Sequence, residues 1–168
     1  MQYVLIFFLF LSACSTKPHT PVVHIDPAFQ GLVTEFVAES QRQGRAISIT
    51  DLIVRFTPSL SGDVLGECFN YHGQETNVIL MDATDWEWES DEYRRVVLFH
   101  ELGHCVLNRE HDTTGRIRDG YCTATSIMYP SIDDVNMYVA NWNDYMLELF
   151  TGATNTQPCL YNGYWGGS

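Results

Sequence analysis

The sequence predicts a single α+β domain, on three observations. Apolar residues recur at helical spacing in Phe29, Leu32, Val33, Phe36 and Val37, and again in Trp142, Tyr145, Met146 and Leu149. Between these sets, short runs at 51–56, 68–71 and 77–81 read as successive strands, not as strands alternating with long helices. Finally, 168 residues suffice for one core and are too few for two comfortable ones. An apolar content of 45% with 13% aromatics excludes intrinsic disorder. The net charge of −12 argues against phosphate backbones and anionic headgroups as electrostatic partners, so no nucleic acid is expected.

The chain opens with an apolar run from Met1 to Leu11, about half of the roughly 20 residues a spanning helix needs. It has the length of a signal-peptide core. The residues that close it, Leu11-Ser12-Ala13-Cys14, resemble a bacterial lipobox. That resemblance implies that residues 1–13 are a signal peptide, that Cys14 is lipidated, and that lipid is the membrane contact. Ser15, where an Asp would favour the inner membrane, points to the outer membrane of a bacterial envelope. Residues 14–23 then form the lipidated Cys and a Pro-, Ser- and Thr-containing tether, and 24–168 the domain, expected to be a monomer. Cys68, Cys105, Cys122 and Cys159 remain, an even set suited to two disulfides in an exported protein. Three pairings are possible; we favour Cys68 with Cys105 and Cys122 with Cys159, although no rule of spacing selects them.

Within the domain, Asp26-Pro27 reads as N-cap and first residue of a helix that Gly44 ends. The strand at 51–56 is stopped by Thr57-Pro58, and a Gly- and Ser-containing loop follows to Gly66. Ser90 with Asp91 and Glu92 begins a second helix that reaches about Leu107. A loop-rich stretch runs from Asn108 to Asn136, with Gly115 to Gly120 a mobile or hairpin-like loop. The last helix closes at Gly152. The acidic run 85–92 reads as a solvated loop with its two Trp packed down.

The chemistry lies in His100-Glu101-Leu102-Gly103-His104, an H-E-x-x-H motif inside the second helix. Histidines four apart lie about 40° apart around a helix, so both imidazoles can reach one ion, for which zinc is the usual occupant. Glu101 beside them is placed to take a proton from water that the metal polarises. His111 follows eleven residues after His100. Together these residues resemble the metzincin zinc peptidases, whose motif H-E-x-x-H-x-x-G-x-x-H brings a third His back to the metal around a Gly. The spacing here is one residue longer and Leu107 stands at the Gly position, but Asn108 lies three residues before His111 and Asn accepts the left-handed conformation of such a turn. Asp112, Glu148 and His72 are alternative third ligands.

Ser126-Ile127-Met128-Tyr129-Pro130 resembles the Met-turn of that family, particularly its A-L-M-Y-P form in matrixins. The resemblance implies that Met128 is an apolar floor under the imidazoles and that Tyr129-Pro130 begins the wall of a substrate pocket. Ile132 stands where matrixins carry a Tyr. The implied fold is zincin-like: a small twisted sheet packed on an active-site helix, with N- and C-terminal helices. An edge strand at 77–81 or 68–71 would align an extended peptide. The expectation is a zinc endopeptidase with Glu101 as general base and His100, His104 and His111 as ligands. The alternative is a non-enzymatic lipoprotein whose zinc is structural or ligand-binding.

Overall fold

The computed structural model describes residues 20–62, 64–69, 76–132 and 134–160. The expected signal peptide at 1–13, Cys14 and His72 lie outside the described residues. A four-stranded sheet contains β1 (Val23–Ile25), β2 (Leu52–Thr57), β3 (Gly66–Phe69) and β4 (Asn77–Asp82), in the order β1-β2-β4-β3. β2 runs parallel to both β1 and β4, whereas β3 is antiparallel to β4 and forms an edge. The run at 77–81 is therefore an interior strand, and of the two expected edge candidates only the one that includes Cys68 and Phe69 is an edge among the described residues.

β1 begins at Val23, the last residue assigned to the tether. Three residues with one exposed Val give too short a pattern to read as a strand. It is fixed by partners distant in sequence: Leu52 donates to the Val22 carbonyl (2.8 Å) and Val22 donates to Asp51 Oδ1 (2.9 Å). The expected helix start at Asp26-Pro27 is instead a turn. Asp26 Oδ1 accepts from the Ala28 amide (3.0 Å) and its carbonyl from the Phe29 amide (2.9 Å), so α1 (Gln30–Arg42) starts beyond it.

β4 ends at Asp82, whose buried carboxylate accepts from the amides of Leu60 (2.7 Å), Thr84 (2.9 Å) and Asp85 (3.1 Å). These donors, Leu60 foremost, hold its pKa below the usual carboxylate range. Asp82 thereby caps α2 (Ala83–Trp86) and pins the loop leading to β3. Trp86 packs on Phe29 and Phe56, while Trp88 is 84% exposed, so only one Trp of the acidic run is packed down.

α3 (Asp91–Leu107) starts where Ser90 Oγ accepts from the Tyr93 amide (3.1 Å). It is buried from Val96 through Gly103, between the sheet, α1 and the C-terminal helices. Phe99 meets Phe36 and Trp142 edge-on, each at 5.1 Å between ring centroids.

The stretch expected to be loop-rich contains a hairpin, β5 (Gly115–Arg118) with β6 (Tyr121–Ala124), joined by Asp119 (φ 50°) and Gly120 (φ 83°). Positive φ at both loop residues is what a two-residue hairpin turn needs. β7 (Pro158–Cys159) pairs with β5, completing a second, three-stranded sheet. Arg118 is buried there: it pairs with Asp144, donates to the Ala124 and Thr125 carbonyls, and lies 4.0 Å from the Tyr145 ring centre. α4 (Val135–Ala140) and α5 (Trp142–Thr151) follow, and Gly152 (φ 72°) ends α5 as expected. The disulfides are Cys68–Cys105 and Cys122–Cys159, the favoured pairing.

Candidate metal centre

Helical phase puts His100 and His104 on one side of α3, and two carbonyls fix how their rings face. His100 Nδ1 lies 2.8 Å from the Ile127 carbonyl and His104 Nδ1 lies 2.6 Å from the Arg109 carbonyl. A carbonyl only accepts, so in each neutral ring the proton sits on Nδ1 and Nε2 presents a lone pair. Those two Nε2 atoms are 3.0 Å apart, and His111 Nε2 is 3.2 Å from that of His100. Facing lone pairs repel unless a cation lies among them. Ligand distances of about 2.0–2.1 Å in a tetrahedral site imply nitrogen–nitrogen edges of roughly 3.3 Å, close to those here. The three histidines form a group able to hold one metal ion.

The third histidine arrives as the Asn108 spacing suggests. Asn108 adopts the left-handed conformation (φ 54°, ψ 40°), and the amides of Asn108 and Arg109 both donate to the Gly103 carbonyl. The chain turns off the helix, and the Asp112 amide donates to the Met128 carbonyl (2.9 Å) just beyond His111. The turn at Ile127-Met128 thus supports His100 through one carbonyl and the His111 segment through the next. Asp112 does not join the ligand group: its carboxylate accepts from the amide (2.8 Å) and hydroxyl (2.6 Å) of Thr114. Nor does Glu148, which pairs with Arg109.

Met128 is fully buried under the helix, and its neighbour there is Gly103. A Cβ built on Gly103 would stand 2.3 Å from Met128 Sδ, so a side chain at the fourth residue of H-E-L-G-H would force the buried Met128 thioether to shift. Gly66 on β3 is confined similarly, since its Cβ would meet Glu101 Cγ and Met81 Sδ at 3.0 Å. Neither requirement was read from the sequence. A Gly inside an otherwise strong helix pattern was the available signal at 103, because it weakens the helix unless something must come close.

Glu101 is 6% exposed and faces β3. Burial pushes its carboxyl up to about 7; the Cys68 amide, donating to it, opposes this, and the Glu67 carboxylate adds to it. Burial likewise drives His100 down to about 4 and lowers His104, with the Ile127 and Arg109 carbonyls opposing. Both imidazoles are therefore held neutral, the form that ligates metal.

These residues line a cleft of about 470 Å³ whose other walls include Val64, Glu67, Cys68 and Pro130. A smaller recess of about 250 Å³ adjoins it past His100 and Glu101, walled by Tyr93, Val97, Tyr129, Pro130 and Ile132. The chain therefore assembles a three-nitrogen ligand set, a buried carboxylate beside it and an open groove bounded by a strand edge. Compared with protein-family models, curated proteins and solved structures, the chain finds no match.

Proposed function

We propose that the protein is a zinc-dependent endopeptidase with a metzincin-like fold, exported and anchored to a bacterial envelope, at the outer membrane, through lipid on Cys14. The observation that carries this reading is the convergence of three imidazole Nε2 atoms beside a buried glutamate in a groove open along the edge strand β3. His100, His104 and His111 are the ligands. Bound there, zinc supplies a Lewis acid and brings the acidity of a water toward neutral pH. The Glu101 carboxylate takes a proton from the attacking water and returns it to the leaving amine nitrogen. In the metal-free fold burial raises its pKa above that of an exposed glutamate, which makes it the stronger base there. The free edge of β3 pairs with the backbone of an extended peptide, and the recess beside Tyr129 and Pro130 takes the side chain beyond the scissile bond.

The three-ligand group also weighs against a closed structural zinc site, which takes four protein ligands. Among the described residues no fourth His, Cys, Asp or Glu joins it. The test is cleavage of a diverse peptide mixture by the zinc-loaded protein beside Glu101→Gln. Loss of general-base catalysis lowers cleavage by about 10²–10⁴-fold while zinc stays bound. Equal cleavage by both proteins removes Glu101 from the reaction. Absence of cleavage from either, with zinc bound at one equivalent, turns the reading to the non-enzymatic alternative.

A further inference from the structure

The two helix-borne histidines are oriented by carbonyls of very different standing. His100 leans on Ile127, which is fully buried. His104 leans on Arg109, a residue in the irregular segment between α3 and β5. Main-chain bonds hold it at the Arg109 and Asp112 amides, on the Gly103 and Met128 carbonyls, and the Arg109 side chain ties it to α5. Its Nη1 donates to the Glu148 (3.1 Å) and Leu149 (2.9 Å) carbonyls in the last turn of α5, and its Nη2 pairs with Glu148 Oε1. Glu148 is 3% exposed, and its Oε2 has no hydrogen-bond partner among the described residues. A buried carboxylate with one oxygen unmatched is costly. Arg109 is the cation that compensates it, and the same guanidinium satisfies carbonyls at a helix end where positive charge is favoured.

We infer that Arg109 is a positioning residue of the metal centre: anchored to Glu148 and the end of α5, it fixes the carbonyl that sets the tautomer and direction of the His104 ring. The inference rests on the metal-binding reading of the three histidines and is independent of peptide hydrolysis. A hydrogen bond to the outer nitrogen of a ligating histidine commonly governs metal affinity by 10–100-fold. Here that bond is made by main chain, and its geometry is set 39 residues away in sequence.

Removing Arg109 alone would strand Glu148, so the test uses Arg109→Met with Glu148→Met, which deletes both charges and keeps apolar bulk. Glu148→Gln is the companion, since it leaves the carbonyl acceptors and an amide oxygen for Arg109. Zinc affinity is measured by competition with a chromophoric chelator, and the visible spectrum is recorded with cobalt(II) in place of zinc. The double variant is expected to bind zinc 10–100-fold more weakly with an altered cobalt spectrum, while Glu148→Gln stays within about threefold of the parent. Arg109→Lys, keeping one donor for the α5 carbonyls, is expected to fall between them. A double variant with parental affinity and an unchanged cobalt spectrum overturns the assignment. A parent protein that binds neither ion overturns the metal centre itself, a separate outcome.

Discussion

The two disulfides span equal lengths of chain, 37 residues each, but they secure regions with different duties. Cys68–Cys105 joins the edge strand of the cleft to α3, one residue past His104 and at the strand residue whose amide donates to Glu101. Cys122–Cys159 joins the hairpin to β7 and lines neither the cleft nor the recess beside it. Equal loops restrict the unfolded chain equally, so the two bridges are alike as stabilisers. They differ in what moves when they are cut. Stability and site geometry are therefore separable in this molecule, region by region.

The largest effects should come from breaking this symmetry directly. Replacing either cysteine pair by alanine is expected to cost about 4 kcal/mol by the chain-entropy argument for a loop of this length, measured by denaturant unfolding. Zinc affinity and peptide cleavage should fall only for Cys68→Ala with Cys105→Ala. Equal functional loss in the other pair would show that the hairpin supports the site as closely as the edge strand does.

A second contrast is one of pH. Glu101 is held protonated up to about 7 in the metal-free fold against 4.5 when exposed. Its ionisation thus costs stability that grows as pH rises from 4.5 and is complete above 7, about 3 kcal/mol by linkage. Glu101→Gln should stabilise the metal-free protein by up to that amount at pH 8 and leave it unchanged below pH 4.5, as thermal unfolding across pH would report. His100 acts in the opposite sense. Its pKa is lowered from 6.5 to about 4, so stability is intact above 6.5 and is lost as pH falls through that interval.

Two glycines give the smallest and sharpest comparison. Gly103→Ala collides with Met128 inside the core and is expected to cost about 1–3 kcal/mol, recovered in part by Met128→Ala. Gly120→Ala on the hairpin meets no atom, and only its positive φ opposes the change, at about 1 kcal/mol. A double-mutant cycle should find coupling to Met128 for the first glycine and none for the second.

The same regional contrast explains what could be read in the sequence. Local chemistry was legible: histidines at helical spacing, an Asn suited to the turn before His111, and the Ser90 cap of α3 all act over a few residues. The strand at 52–57 and both long helices also follow from local pattern. What depends on contacts across the chain was not legible. β1 exists through β2, and the interior position of β4 follows from the antiparallel return of β3. Arg118 is an ordinary loop cation until Asp144 and Tyr145 surround it. Arg109 has no motif, because its meaning lies in α5.

The three Nε2 atoms meet only when α3, the Asn108 turn and the Met128 turn are all in place, so an ion that takes them binds the folded chain and not the unfolded one. Folding and metal supply then obey one mass-action law. At free ion a hundred times the dissociation constant the fold gains about 2.7 kcal/mol, and every further tenfold adds about 1.4. The melting temperature of this chain would then serve as a logarithmic gauge of the free metal around it, readable without any substrate.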